Sequence, residues 1–91
     1  MEDAVKDEIY AAISGELGRR ELPEVGTVVD GIFTVIICPV CGNKALDNYD
    51  ICRFCGWEHD GLPEDQFSAA NGDTLEGYRR AYNMIVQELF G

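Results

Sequence analysis

Apolar residues recur at intervals of three and four near the start of the chain. Within residues 2–17 they predict an amphipathic helix. The apolar stripe consists of Val5, Ile9, Ala12, Ile13 and Leu17. Acids from Glu2 onward in its first turns, and Arg19 and Arg20 beyond its end, suit the helix dipole, and Gly18 is the residue expected to end the helix. We expect this helix to pack on the protein's own core, with a partner-facing or dimer-forming helix as the alternative.

A second and stronger apolar stripe runs along the last part of the chain. It predicts a helix from Thr74 to Phe90. The stripe consists of Leu75, Tyr78, Tyr82, Ile85 and Leu89. The sequence Asp73-Thr-Leu-Glu76 is a capping-box pattern, in which either Asp73 or Thr74 is the N-cap. Val86 widens the stripe, so the helix is either deeply docked or has a second face for a partner.

The segment before the cysteines has the composition of β-strands. Residues 27–37, TVVDGIFTVII, contain the pair Asp30-Gly31. This pattern predicts a hairpin with a type I′ turn or, as the alternative, one strand with a glycine bulge. The second arm, Ile32 to Ile37, leads directly into Cys38. Because this arm is apolar on both faces, we expect the two helices to cover it from both sides.

All four cysteines lie between residues 38 and 55, with the spacing C-x2-C-x10-C-x2-C, and a glycine follows each pair. A Cys-x-x-Cys-Gly turn lets two sulfurs approach one ion, so the sequence predicts two metal-binding knuckles. Between the knuckles, residues 44–46 and 49–51 predict two short strands around the turn pair Asp47-Asn48. This ribbon hairpin would place the two pairs opposite each other, under a cover of Phe54 and Trp57.

This spacing predicts a closed tetrathiolate site for structural Zn²⁺, with Cys38, Cys41, Cys52 and Cys55 as its ligands. A rubredoxin-like iron site is the first alternative, since four thiolates also bind iron. Disulfides or redox thiols are the second alternative. Against them, the chain has no apolar leader with a cleavage site, which favours a cytoplasmic location, and neither pair lies in a βαβ pattern. His59 is expected to lie in a surface loop, outside the complete metal shell.

The segment after the second knuckle is acidic. Residues 58–73 contain five acids together with glycines and a proline. They lack the alternating oxygen ligands and the closing glutamate of a calcium loop, so the sequence predicts a solvated loop. Leu62 and Phe67 are expected to anchor this loop to the core.

The chain has 91 residues, of which 46% are hydrophobic, and this is enough for one small domain. We divide it into residues 1–26 (first helix and connector), 27–60 (hairpin and zinc ribbon) and 61–91 (acidic loop and last helix). The formal net charge of −10, from 17 acidic and 7 basic residues, opposes nucleic-acid binding and favours a basic protein partner. No segment is apolar enough to span a membrane. The two helices leave homo-oligomerisation open.

Several residues form a wider pattern around the cysteines, over about residues 36–82. They are Cys38-Pro39, Cys41-Gly42, Tyr49 to Cys52, Cys55, Trp57-Glu58, Asp60, Asn71, Thr74-Leu75 and Arg79. With these residues the chain resembles the cysteine-rich family named for a Cys-Pro-Cys-Cys motif, although Val40 replaces the middle cysteine. The resemblance implies a zinc-binding domain of bacterial or phage type and brings no established activity. Among the charged positions shared with the family, we expect Arg79 to pair with Glu58 or Asp60.

The sequence contains no arrangement that indicates an enzyme. Its single histidine has no positioned partner, and a closed tetrathiolate zinc has no open position for substrate or water. We therefore expect a small α+β zinc ribbon with flanking helices, acting as a protein-interaction module. One version is an acidic inhibitor or immunity-type protein that covers a basic partner. A nucleic-acid-binding ribbon and an iron electron carrier are the alternatives.

Overall fold

The structure, a computed structural model, describes residues 3–18 and 21–91. Its elements are α1 (Asp3–Ile13), β1 (Val28–Val29), β2 (Phe33–Ile37), β3 (Lys44–Leu46), β4 (Phe67–Ser68), β5 (Asp73–Thr74) and α2 (Leu75–Phe90). The strands form an antiparallel sheet in the order β1-β2-β3 and a separate pair, β4 and β5. The fold is α+β, as the sequence predicts. Within the described ranges, neither helix has the length and apolar character that crossing a bilayer requires.

Helix α1 packs on the core of the protein. Its buried side chains include Val5 and Ile9, which are 1% and 0% exposed. These two residues belong to one apolar cluster with the buried residues of α2 and with three of the cysteines. The helix therefore contributes directly to the core that surrounds the cysteines.

Helix α1 ends at Ile13, earlier than the sequence analysis predicts. Gly15 has a φ of 83°, and its N–H donates to the carbonyl of Ala12 at 3.1 Å. The N–H of Glu16 donates to the carbonyl of Ala11, also at 3.1 Å. These two bonds form a Schellman motif, so the helix ends before Gly18 is reached. Glu2, Arg19 and Arg20, which were assigned to the helix ends, lie outside the described residues.

Helix α2 begins where the sequence predicts, with Thr74 as its N-cap. The Thr74 hydroxyl accepts a hydrogen bond from the N–H of Gly77 at 3.0 Å. Glu76, the acid of the capping-box pattern, instead pairs with Arg80 at 3.0 Å. The buried residues of the helix are Leu75, Tyr78, Ala81 and Ile85. Leu89 is 49% exposed, so the predicted stripe extends beyond the core at its last turn.

Strands β1 and β2 form the hairpin that the sequence favours. Asp30 and Gly31 have φ angles of 56° and 74°, as a type I′ turn requires. The expectation that both faces of β2 are covered by helices is wrong. Val35 is fully buried, and Ile36 on the other face is half-buried. Ile32 and Ile37, at the two ends of the arm, are 63% and 52% exposed, because the helices pack mainly against each other and the knuckles.

The predicted ribbon hairpin between residues 44–46 and 49–51 is not formed. Strand β3 pairs with β2 instead, and the chain then reverses through Asn48 and Tyr49, which have φ angles of 57° and 69°. Residues 49–51 pair with the segment after the second knuckle. The N–H of Tyr49 donates to His59 O at 3.0 Å, and the N–H of His59 donates to Asp50 O at 3.1 Å. Each knuckle therefore lies at the tip of its own hairpin.

The acidic segment is more ordered than a solvated loop. It contains the short pair of strands β4 and β5. Phe67 does not anchor it, since its side chain is 61% exposed, whereas Leu62 is half-buried. The buried residues are polar: Ser68 is 0% exposed and Asn71 is 3% exposed. Hydrogen bonds, more than apolar contacts, thus fix this segment.

Candidate metal centre

The two knuckles have the same backbone geometry. In each, the glycine donates its N–H to the carbonyl of the first cysteine, from Gly42 to Cys38 at 2.9 Å and from Gly56 to Cys52 at 3.0 Å. The N–H of each first cysteine donates to the carbonyl five residues later, at 2.9 and 2.8 Å. Both glycines have left-handed φ angles, 77° and 85°, a region that disfavours any residue with a Cβ atom. The sequence Cys-x-x-Cys-Gly therefore forms a compact turn with both sulfurs on one side.

The structure brings the four predicted cysteines together. Their Sγ atoms all lie within 4.8 Å of one another. The Cys38–Cys55 and Cys41–Cys52 sulfurs are each 3.6 Å apart, much longer than a disulfide bond of about 2.05 Å. A tetrahedral ion with bonds of about 2.3 Å would separate its sulfur ligands by about 3.8 Å. The donor set and its spacing therefore fit a metal ion.

The sulfur cluster is largely shielded from solvent. Cys38, Cys52 and Cys55 are at most 1% exposed, and only Cys41 is half-buried. Trp57, which is 3% exposed, belongs to the same apolar cluster, and Phe54 packs against that cluster. Both residues are thus placed as the cover that the sequence predicts. Exchange of a bound ion would begin at the more accessible Cys41.

Hydrogen bonds among the sulfurs separate their pKa values. They lower the pKa of Cys41 and Cys52 and raise the pKa of Cys38 and Cys55. The reason is that the thiols of Cys38 and Cys55 stabilise the thiolates of Cys41 and Cys52. The N–H of Phe54, 3.5 Å from the Cys52 sulfur, also favours the thiolate there. A buried cluster that holds negative charge attracts a cation, and binding then releases the remaining protons.

Two consecutive residues of α2 hold the two knuckles. The Tyr78 hydroxyl donates to the carbonyl of Cys55 at 2.8 Å, and Arg79 Nε donates to the carbonyl of Pro39 at 2.8 Å. Tyr78 is fully buried and packs edge-on against Trp57, with ring centroids 5.1 Å apart. Burial also raises the pKa of Tyr78, so its hydroxyl remains a donor. The helix thereby fixes both halves of the cysteine cluster relative to each other.

The prediction that Arg79 pairs with Glu58 or Asp60 is wrong about the partner. Arg79 Nη2 lies 2.8 Å from the carboxylate of Glu64. The carboxylate of Asp60 instead accepts a hydrogen bond from the hydroxyl of Ser68 at 2.5 Å. Glu64 is placed beside the helix because its carbonyl accepts the N–H of Glu76 at 3.3 Å. The arginine does join α2 to the acidic segment, but also to the first knuckle.

Asn71 is a structural residue of the site whose role the sequence analysis missed. Its Oδ1 accepts the N–H of Glu58 at 2.7 Å, and its Nδ2 donates to the Glu58 carbonyl at 3.0 Å. The amide thus satisfies both backbone groups of the residue that follows Trp57. Nδ2 also donates to the hydroxyl of Ser68 at 2.9 Å. The sequence signal was the turn pair Asn71-Gly72, which has no obvious link to residue 58 until the chain is folded.

Gly56 is a second residue whose full role emerges only in the structure. A Cβ atom at this position would lie 2.9 Å from the Tyr78 hydroxyl and 3.0 Å from the carbonyl oxygen of Glu8. Glycine is therefore needed here for close packing as well as for its φ of 85°. Helices α1 and α2 both approach the second knuckle at this point.

His59 is buried, whereas the sequence analysis expected it to lie in a surface loop. It is 7% exposed, because the pairing of residues 49–51 with 58–59 turns it inward. Its Nδ1 lies 3.1 Å from the Asp50 carbonyl, so Nδ1 carries the proton, and Nε2 has no partner among the described residues. Burial lowers the pKa of His59. Among the described residues, the only group suited to a metal ion is the four cysteines, so His59 lies outside the cluster.

The fold and the site define a class of protein: a small α+β domain with a buried four-cysteine cluster that could bind a metal ion. The family model described as Cysteine-rich CPCC matches residues 36–85, more than half of the chain, and the chain belongs to this family. The matched region contains both knuckles, Trp57 and the two residues of α2 that hold the knuckles. The comparisons with curated proteins and with solved structures give no match.

Proposed function

We propose that this protein is a zinc-binding module that recognises a basic protein partner and has no catalytic step of its own. The observation that carries the proposal is the buried four-sulfur cluster. Four thiolates complete the tetrahedral shell of Zn²⁺ and leave no position for a substrate. A structural zinc ion would also contribute folding free energy to a domain with a small apolar core.

The charge distribution supports a basic partner. All three arginines of the described residues pair with carboxylates. These pairs are Arg53–Asp50 at 3.7 Å, Arg79–Glu64 at 2.8 Å and Arg80–Glu76 at 3.0 Å. The chain has 17 acids, and among the described residues only Asp50, Glu64 and Glu76 have such a partner. A surface with this excess of carboxylates attracts a basic protein and repels a phosphate backbone.

One version of this function is an inhibitor or immunity-type protein that covers a basic surface on its partner. The experiment uses zinc-loaded protein as bait and then measures association rates with the purified captured protein. We expect a basic partner whose association rate falls at least about tenfold between 50 and 500 mM salt. The metal-free protein is the matched control and should lose the interaction.

Nucleic acid provides the contrasting arm of the same experiment. Fluorescence anisotropy with a labelled DNA duplex and a labelled RNA strand should show no binding at about 150 mM salt. Binding to either probe under those conditions, or a partner whose association does not depend on salt, would overturn the proposal. An inhibitor would in addition abolish the partner's activity at a one-to-one ratio.

A further inference from the structure

A cleft of about 350 Å³ opens beside the first knuckle. Its walls are mostly apolar. The apolar residues are Ile36, Pro39, Trp57, Leu62 and Leu75. The carboxylates of Asp47 and Asp60 also line it. It therefore combines an apolar interior with negative charge, within the size range of ordinary ligand sites.

The two carboxylates have hydrogen bonds but no cationic partner among the described residues. Asp47 accepts the N–H of Thr34 at 2.7 Å. Asp60 accepts the hydroxyl of Ser68 at 2.5 Å and the N–H of Leu62 at 3.3 Å. Both are half-buried, and the ion pairs found within residues 3–18 and 21–91 all involve other acids. Half-buried carboxylates without a counterion favour a cation that brings its own apolar surface.

The neighbouring His59 adds no positive charge to the cleft. His59 is one of the residues that line the cleft, and burial lowers the pKa of its imidazole, which is therefore neutral near pH 7. Nε2 of this ring is buried and has no hydrogen-bond partner among the described residues. The polar groups of the lining thus include two carboxylates and a neutral imidazole, and none of these groups supplies the missing cation.

The chemistry of the lining selects the occupant. An anion would be repelled by the two carboxylates, and the residues of the cleft do not converge as a metal site would among the described residues. Arginine and lysine side chains combine an apolar stem with a cationic end. We propose that this cleft binds an arginine or lysine side chain of the basic protein partner, with the stem on the apolar walls and the cation at Asp47 and Asp60. This inference rests on the proposed function and assigns it a binding site.

The test uses three short peptides and zinc-loaded, isotope-labelled protein. The peptides are acetyl-Gly-Arg-Gly-amide, acetyl-Gly-Lys-Gly-amide and a citrulline analogue that has the arginine shape without its charge. We expect the arginine and lysine peptides to shift the Trp57 indole and Gly61 amide signals in a saturable way. The citrulline peptide should bind at least about tenfold more weakly, because it lacks the charge-assisted hydrogen bonds.

Variants locate the binding site. Replacing both acids, as D47N and D60N together, removes the charge and keeps an acceptor oxygen at each position, and binding should weaken at least about fivefold. The matched control is E24Q with D65N, at exposed acids that do not line the cleft, and it should bind normally. Thermal unfolding checks that the variants are folded, and D47N alone replaces the double variant if that one is not.

Equal binding of the citrulline peptide, shifts that map outside the cleft, or unchanged binding by D47N would overturn the inference. The proposed function can fail separately. A basic partner that binds with the expected salt dependence but tolerates D47N and D60N would leave the proposed function intact and exclude the cleft. Loss of partner binding in these variants alone, with the control variant unaffected, would support both.

Discussion

Replacing Tyr78 by Phe tests whether α2 holds the metal centre through one hydrogen bond. The substitution removes only the hydroxyl that donates to the carbonyl of Cys55 at 2.8 Å. The ring remains, and so does its edge-on contact with Trp57. Because Tyr78 is 0% exposed, water cannot readily replace the lost donor at that carbonyl.

A buried carbonyl that loses its donor costs about 1–3 kcal/mol. For a domain of this size, each kcal/mol lowers the melting temperature by about 4–8 °C, so a loss of about 2 kcal/mol corresponds to about 8–16 °C. If metal binding is coupled to folding, the same loss weakens zinc retention by up to about 30-fold. Both effects should appear together, as earlier thermal unfolding of the zinc-loaded protein and as faster zinc transfer to a coloured chelator.

Tyr82→Phe is the matched control. Tyr82 lies on the same helix, is half-buried and makes no hydrogen bond through its hydroxyl among the described residues. Its loss of the hydroxyl should change stability by less than about 0.5 kcal/mol. Equal behaviour of the two variants in zinc transfer and in melting would refute the idea that Tyr78 holds the second knuckle.

Three further experiments test other parts of the site. Arg79→Met removes the hydrogen bond to the first knuckle and an ion pair, so it should lower the free energy of unfolding by about 1 kcal/mol. Arg80→Met breaks only an exposed ion pair and should lower it by less than about 0.5 kcal/mol. Similar melting temperatures for the two variants would contradict this difference. Gly56→Ala should destabilise the protein more than Gly61→Ala. Both positions have left-handed φ angles, so alanine costs about 1–2 kcal/mol at either one, but of the two only the Cβ at position 56 would meet other atoms. Comparable denaturant midpoints for the two variants would exclude the packing role of Gly56. Burial lowers the pKa of His59 from 6.5, so its imidazole signals should titrate below pH 6.5, and the stability it contributes is present above that pH and is lost as the pH falls toward the folded-state pKa. An NMR titration with its midpoint at or above 6.5 would be inconsistent with a buried neutral ring.

The parts of the structure that depend on local pattern could be predicted from the sequence. The cysteine spacing with its two glycines predicted both knuckles, because a Cys-x-x-Cys-Gly turn closes through its own backbone hydrogen bonds. The apolar periodicity predicted both helices, and Thr74 was one of two N-cap candidates. The site residues follow from the same local signals, since Trp57 comes two residues after the last cysteine.

The parts that depend on tertiary contacts could not be predicted in the same way. The ten-residue spacing between the cysteine pairs is long enough for a hairpin, but β3 finds its partner in β2. Arg79 had several acids within reach, and the choice of Glu64 depends on a backbone contact to Glu76. The burial of His59 follows from the pairing of residues 49–51 with 58–59, which the sequence analysis did not predict. For Arg79, charge alone cannot distinguish Glu64 from the other acids, since an exposed ion pair contributes only about 0–1 kcal/mol.

We propose that the clustered residues Cys38, Cys41, Cys52 and Cys55 together hold one zinc ion. X-ray absorption at the zinc edge of the purified protein, combined with elemental analysis, measures this directly. We predict one zinc per chain with four sulfur neighbours at about 2.3 Å. Iron at one equivalent per chain, a zinc shell with fewer than four sulfurs, or a metal-free protein with disulfides by mass would contradict the claim.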